Sequence, residues 1–76
     1  MKLYHVPRKS YIKIIDKKIK LPIDNYIKKE NLPILFFDHI DGIYSLCKDI
    51  EGNYIHLAAW TDVELTTEKE FNLQIN

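Results

Sequence analysis

One cysteine, two glycines and a single arginine, Arg8, in 76 residues remove several kinds of chemistry at the outset. Cys47 has no partner for an internal disulfide, and no Cys/His cluster offers structural zinc, so a reducing compartment is expected rather than secretion. Two isolated glycines cannot build a phosphate-cradling loop. His5, His39 and His56 fall on different elements or faces, with no His-x-His or Cys-x-x-Cys spacing, so no metal site and no cofactor is expected. Neither a charged-then-apolar leader nor a long apolar run is present, and neither export nor a membrane span is expected. Lysine supplies all the other cations. Together with abundant isoleucine, this points to an A+T-rich coding genome.

What is present is a three-strand antiparallel meander between Pro33 and Leu65. Residues 34–40 form an apolar run that meets Asp41-Gly42, the strongest short hairpin signal in a sequence. Residues 43–48 return, 49–52 turn again, and 53–60 form the third strand. Both glycines sit at these turns, where a positive φ is needed. Tyr11-Ile12-Lys13-Ile14-Ile15, after a Pro7–Ser10 turn, reads as a first strand. Residues 61–63 suit a 3₁₀ turn and 63–66 a short last strand. Residues 16–31 are expected to form a long loop. Phe71, Leu73 and Ile75 alternate with polar residues, so 67–76 reads as an edge strand or loose tail. The order fits one all-β domain over 1–76, a small SH3-like barrel of about five short strands. An open sheet with a loosely packed loop is the alternative.

The expected register follows from the turns. With Asp41-Gly42 as the loop, Phe37 pairs with Leu46. With 49–52 as the second loop, Leu46 pairs with Ile55. One face then carries Phe37, Leu46, Ile55, His39, Tyr44 and Leu57, flanked by Leu35 and Ala59, and is the better core. The opposite face carries Asp38, Ser45 and His56 in one row. That row is not a catalytic triad. Strands lie about 4.8 Å apart, so Ser45 would separate Asp38 from His56 by about 10 Å. A working triad needs histidine between the other two. Asp38 and His56 remain candidates for contacting a polar ligand, and catalysis is not expected.

A formal charge of zero conceals an asymmetry. Residues 1–30 carry nine cations against three carboxylates and residues 31–76 carry two against eight, giving +6 and −6. Lys17, Lys18, Lys20, Lys28 and Lys29 form the basic stretch. Pairing of oppositely charged strands within the fold is the simplest account. Head-to-tail association and polyanion binding are the functional ones. Aromatic residues, Trp60, Tyr44 and Tyr54 above all, add stacking surfaces of the kind that single-stranded nucleic acids or nucleotides use. Filling the core of a tiny barrel is their simpler role.

Residues 36–47 (Phe-Phe-Asp-His-Ile-Asp-Gly-Ile-Tyr-Ser-Leu-Cys), Glu51-Gly52-Asn53 and 56–64 (His-Leu-Ala-Ala-Trp-Thr-Asp-Val-Glu) resemble small uncharacterised proteins of large tailed phages of marine bacteria. The resemblance spans roughly residues 33–65 and brings no catalytic residues with it. It implies a viral protein acting in the bacterial host cytoplasm. The expected function is therefore a non-enzymatic binding module for a host or phage protein, with a homo-oligomer as one form. Capture of nucleic acid or a nucleotide-like molecule is the alternative.

Overall fold

β-Branched and aromatic residues bounded by turn formers give the chain its strands. The computed structural model describes residues 1–15 and 34–74, so the expected loop over 16–31 lies outside the described residues. A short 3₁₀ turn (Leu3–His5) precedes β1 (Ser10–Ile14), β2 (Ile34–Asp41), β3 (Tyr44–Lys48), β4 (Tyr54–Ile55), β5 (Val63–Leu65) and α1 (Glu68–Asn72). All strands pair antiparallel in one sheet of order β4-β3-β2-β1-β5. The described residues thus form a small all-β domain with one short α-helix among them. No helix among the described residues is long and apolar enough to cross a membrane.

The meander is present, but its third strand, expected over 53–60, is a strand only at Tyr54–Ile55 with one further bridge at Ala58, and its joints are displaced. Asp41 pairs with Tyr44, so the first loop is Gly42-Ile43 and not Asp41-Gly42. Gly42 takes φ 70° while Ile43 keeps a negative φ, the pattern of a type II′ turn. In the second loop Lys48 pairs with Tyr54, leaving five residues, Asp49 to Asn53, instead of four. Asp49 explains the longer loop. Its carboxylate accepts from the backbone N–H groups of Glu51 (3.0 Å) and Asn53 (2.8 Å), an Asx-type closure. Gly52 completes it at φ 89°.

The third displacement is a β-bulge. Phe37 pairs with Cys47 but His39 pairs with Leu46, which leaves Asp38 as the extra residue. Its carbonyl accepts from the N–H of Lys9 (3.1 Å), a residue held at φ 59°. The bulge and the lengthened second loop turn β3 over relative to its expected orientation. Ser45 and Cys47 face the core, whereas Leu46 lies half-buried on the other side and Tyr44 is exposed. Phe37, Ile55, Leu57 and Leu35 are buried as expected. The core also takes Leu3, Val6, Ile12, Ile14 and Val63.

Burying a serine is tolerated because its hydroxyl is satisfied. Ser45 Oγ donates to the Leu57 carbonyl (2.9 Å), accepts from the Leu57 N–H (3.0 Å) and touches Cys47 Sγ (3.3 Å). It therefore stands in for a backbone partner between β3 and the chain beyond β4.

Around β5 the N-terminus adds a flank. The Met1 ammonium donates to the Val63 carbonyl (2.8 Å), and the Leu3 N–H donates to the Thr61 carbonyl (2.9 Å). Lys2 and Asp62 form an ion pair at 2.9 Å, one place where the basic and acidic halves meet. The turn expected at 61–63 lies at 58–61, where the Thr61 N–H and hydroxyl both donate to the Ala58 carbonyl. In the span expected as an edge strand or loose tail, 67–76, residues 75–76 lie outside the described residues and the rest carries α1. Thr67 caps it, accepting from the Glu70 N–H (3.2 Å), so Thr67-x-x-Glu70 supplies the cap hydroxyl of a capping-box sequence. The helix is tied down through Tyr11, whose hydroxyl donates to Glu68 (2.9 Å) and whose ring packs between Phe36 and Phe71.

The register has a direct energetic test, because two leucines should respond differently. Leu57→Ala, at a site 1% exposed, should cost ~2–5 kcal/mol. Leu46→Ala, half-buried outside the core, should cost only about 1 kcal/mol. Urea denaturation of both variants checks this, and equal losses would point to the register expected from the turns.

Candidate functional site

Turning β3 over determines which side chains share the outer face of the meander. His39 on β2 lies opposite Leu46 on β3. Continuing the pairs Lys48↔Tyr54 and Tyr44↔Ala58 places Leu46 opposite His56, just past β4. The two imidazoles therefore flank one leucine across the sheet, contrary to the expectation that the histidines fall on different faces. Asp41 and Tyr44 form the next row. Together with the strand at Ser45, these residues line an open cleft of ≈ 410 Å³.

The orientation of His56 follows from its partner. Its Nδ1 lies 3.0 Å from the Ser45 carbonyl. A carbonyl only accepts, so Nδ1 carries the proton and the neutral ring keeps a lone pair on Nε2. His39 is held more loosely, with Nδ1 3.8 Å from the Asp38 carboxylate, beyond hydrogen-bonding distance. Among the described residues no three His, Cys, Asp or Glu side chains are grouped to hold a metal ion.

The expected row of Asp38, Ser45 and His56 is not assembled. Ser45 points inward with its hydroxyl engaged by Leu57, Asp38 sits in the bulge, and His56 meets the Ser45 carbonyl rather than its hydroxyl. Of the candidate aromatics, Tyr44 borders the cleft, while Tyr54 lies further along the outer face with Lys48 Nζ 5.1 Å from its ring centre. Trp60 is exposed at the 58–61 turn, away from the cleft lining. Lys17, Lys18, Lys20, Lys28 and Lys29 lie outside the described residues.

A second surface contains Trp60, one of the aromatics expected at a binding site. The Ala59 N–H donates to the Ile43 carbonyl and the Ala59 carbonyl accepts from the Tyr4 N–H, both at 2.9 Å. Three segments thus converge on Ala59, and Ile43, Tyr4 and the adjacent Trp60 are 59%, 55% and 55% exposed. Ile43 carried no sequence signal for this, and Tyr4 only that of an aromatic that could stack on a base. Their meeting depends on how the N-terminus lies along residues 59–63.

Comparison of the chain with protein-family models, curated proteins and solved structures gave no match.

Cys47 belongs to the core rather than to either surface. Burial pushes its thiol up from 9.0 to about 11, and the Ser45 hydroxyl offsets this only in part. The folded state therefore holds its proton over a range in which the unfolded state has lost it. Stability attributable to Cys47 is constant below pH 9 and falls as pH rises towards 11, by about 2–3 kcal/mol in all. Chemical denaturation of wild type and Cys47→Ala across this range should show the extra decline in the wild type alone. A thiol-specific reagent at pH 8 should label Cys47 only as fast as the domain opens.

Proposed function

We propose that the protein is a non-enzymatic accessory protein of a phage. In this reading it is an SH3-like module that binds a host or viral protein in the host cytoplasm, self-association being one form of such binding. The carrying observation is the end of the sheet around Ala59. There Ile43, Tyr4 and Trp60, three large side chains each more than half exposed, are presented from segments joined by backbone hydrogen bonds. Large exposed side chains carried on segments that meet at one end of a small domain suit an interaction surface. Aromatic anchors of the tryptophan and tyrosine type carry much of the energy at protein interfaces. The likeness of residues 33–65 to phage proteins supports the viral setting. The strand order and the long β2, shared between two sets of neighbours, favour the SH3-like arrangement.

The proposal predicts that an Ile43→Ser/Trp60→Ser double variant keeps its fold, since both side chains are largely solvated. It should lose at least tenfold of the wild type's binding to a protein retained from bacterial host lysate, or of its self-association measured by sedimentation. Equal retention by wild type and folded variant would overturn the assignment of the surface. A wild type that is monomeric and retains nothing would overturn the binding-module reading itself.

A further inference from the structure

We propose that the cleft on the outer face of the meander is a second, separate site that binds a planar ring with adjacent N–H donors, of the amino-bearing nucleobase class. Its size and lining set the ligand class. A cleft of ≈ 410 Å³ lies within the range of small-molecule sites, about 300–1,000 Å³. Leu46 lies between two imidazoles, His39 and His56, with the Tyr44 phenol in the adjoining row. An aliphatic surface bordered by flat, polarisable rings favours a flat ligand that stacks.

Hydrogen bonding narrows the choice. His56 donates through Nδ1 to the Ser45 carbonyl at 3.0 Å, so its Nε2 is left as an acceptor. Asp41, exposed and lining the same cleft, contributes two more acceptor oxygens. Tyr44 can donate or accept, and His39 follows its tautomer. Acceptors fixed in this way select ligands that bring donors. A carboxylate pairs best with two parallel N–H groups, as its bidentate pairing with the guanidinium fork shows. Guanine presents such a pair on its ring nitrogen and exocyclic amine. Cytosine and adenine present an amine alone, which carboxylates also accept. Uracil sets a ring N–H between two carbonyls, and these face the carboxylate unfavourably. The expected order is guanine first, cytosine and adenine next, and uracil last. Lys48 lies on the same face two residues along β3 from Leu46, so a phosphate tail running along the strand meets a cation.

Proton NMR of the histidine and tyrosine rings, during titration with guanosine, cytidine, adenosine, uridine and their 5′-monophosphates at low salt, tests the site. Guanosine should shift the His39, His56 and Tyr44 ring signals and bind at least tenfold more tightly than uridine. Asp41→Asn, which replaces one acceptor by a donor at an exposed position, should remove at least tenfold of guanosine affinity at unchanged melting temperature. His56→Phe, which keeps a ring but removes the acceptor, should weaken binding while leaving stacking. Ile43→Ser/Trp60→Ser should bind guanosine like the wild type, which separates this site from the protein-binding surface. Absence of any shift at millimolar nucleoside, equal affinity for guanosine and uridine, or undiminished binding by Asp41→Asn would each overturn the proposal.

Discussion

The outer surface of this protein depends on one extra residue in β2. Asp38 has no partner on β3, so the strand bends there and the side chains beyond it change faces relative to their neighbours. β2 pairs with β1 over residues 34–37 and with β3 from Phe36 to Asp41, the two ladders overlapping at Phe36 and Phe37 just before the bulge. One strand thereby serves two sets of neighbours without a break in the chain. The bulge carbonyl is satisfied by Lys9, whose left-handed backbone directs its N–H to Asp38. A non-glycine residue in that region carries a conformational cost, here tied to the pairing of a buried strand.

Small side chains follow from this bend. β3 contributes Ser45 and Cys47 to the core, opposite a strand that contributes Phe37 and Leu35. Large residues on one strand thus meet small ones on the next, as close packing in a core this size requires. The serine brings a buried hydroxyl, which would destabilise the domain if left alone. Its paired hydrogen bonds to Leu57 turn that cost into a connection between β3 and the segment after β4. The same register places His39, Leu46 and His56 outside, so the core and the cleft are two consequences of one pairing.

Much of the architecture was legible in the sequence because turn chemistry and β-branched runs act locally. Strands β1, β2, β3 and β5 fall within a residue or two of their expected positions, and Asp38 and His56 are solvated as expected. The facing of β3 was not legible. A one-residue slip exchanges the faces of a strand. It occurs at two joints, the bulge and the second loop, whereas the shift of the first loop moves the pairing by two residues and keeps the faces. Gly42 occupies the first loop position rather than the second, Asp49 closes a five-residue loop with its carboxylate, and Asp38 bulges. Only the Asp49 closure has a residue-level signature. The cap at Thr67 that starts the C-terminal helix went unread, because the alternation of Phe71, Leu73 and Ile75 imitated a strand. The juxtaposition of the two histidines was beyond sequence reading altogether, since it needs both hairpin registers to be correct.

Both proposed surfaces rest on this register, and neither needs chemistry beyond hydrogen bonding, stacking and apolar contact. The end around Ala59 offers apolar side chains from three segments, while the cleft offers acceptors over Leu46. Cross-strand contacts between α-protons, observed by nuclear Overhauser spectroscopy, report the register residue by residue. The structure predicts contacts from Ser45 to Ile40 and from Lys48 to Tyr54. Contacts from Ser45 to Asp38 and from Lys48 to Asn53 in their place would mean that Leu46 faces the core, and would contradict the account.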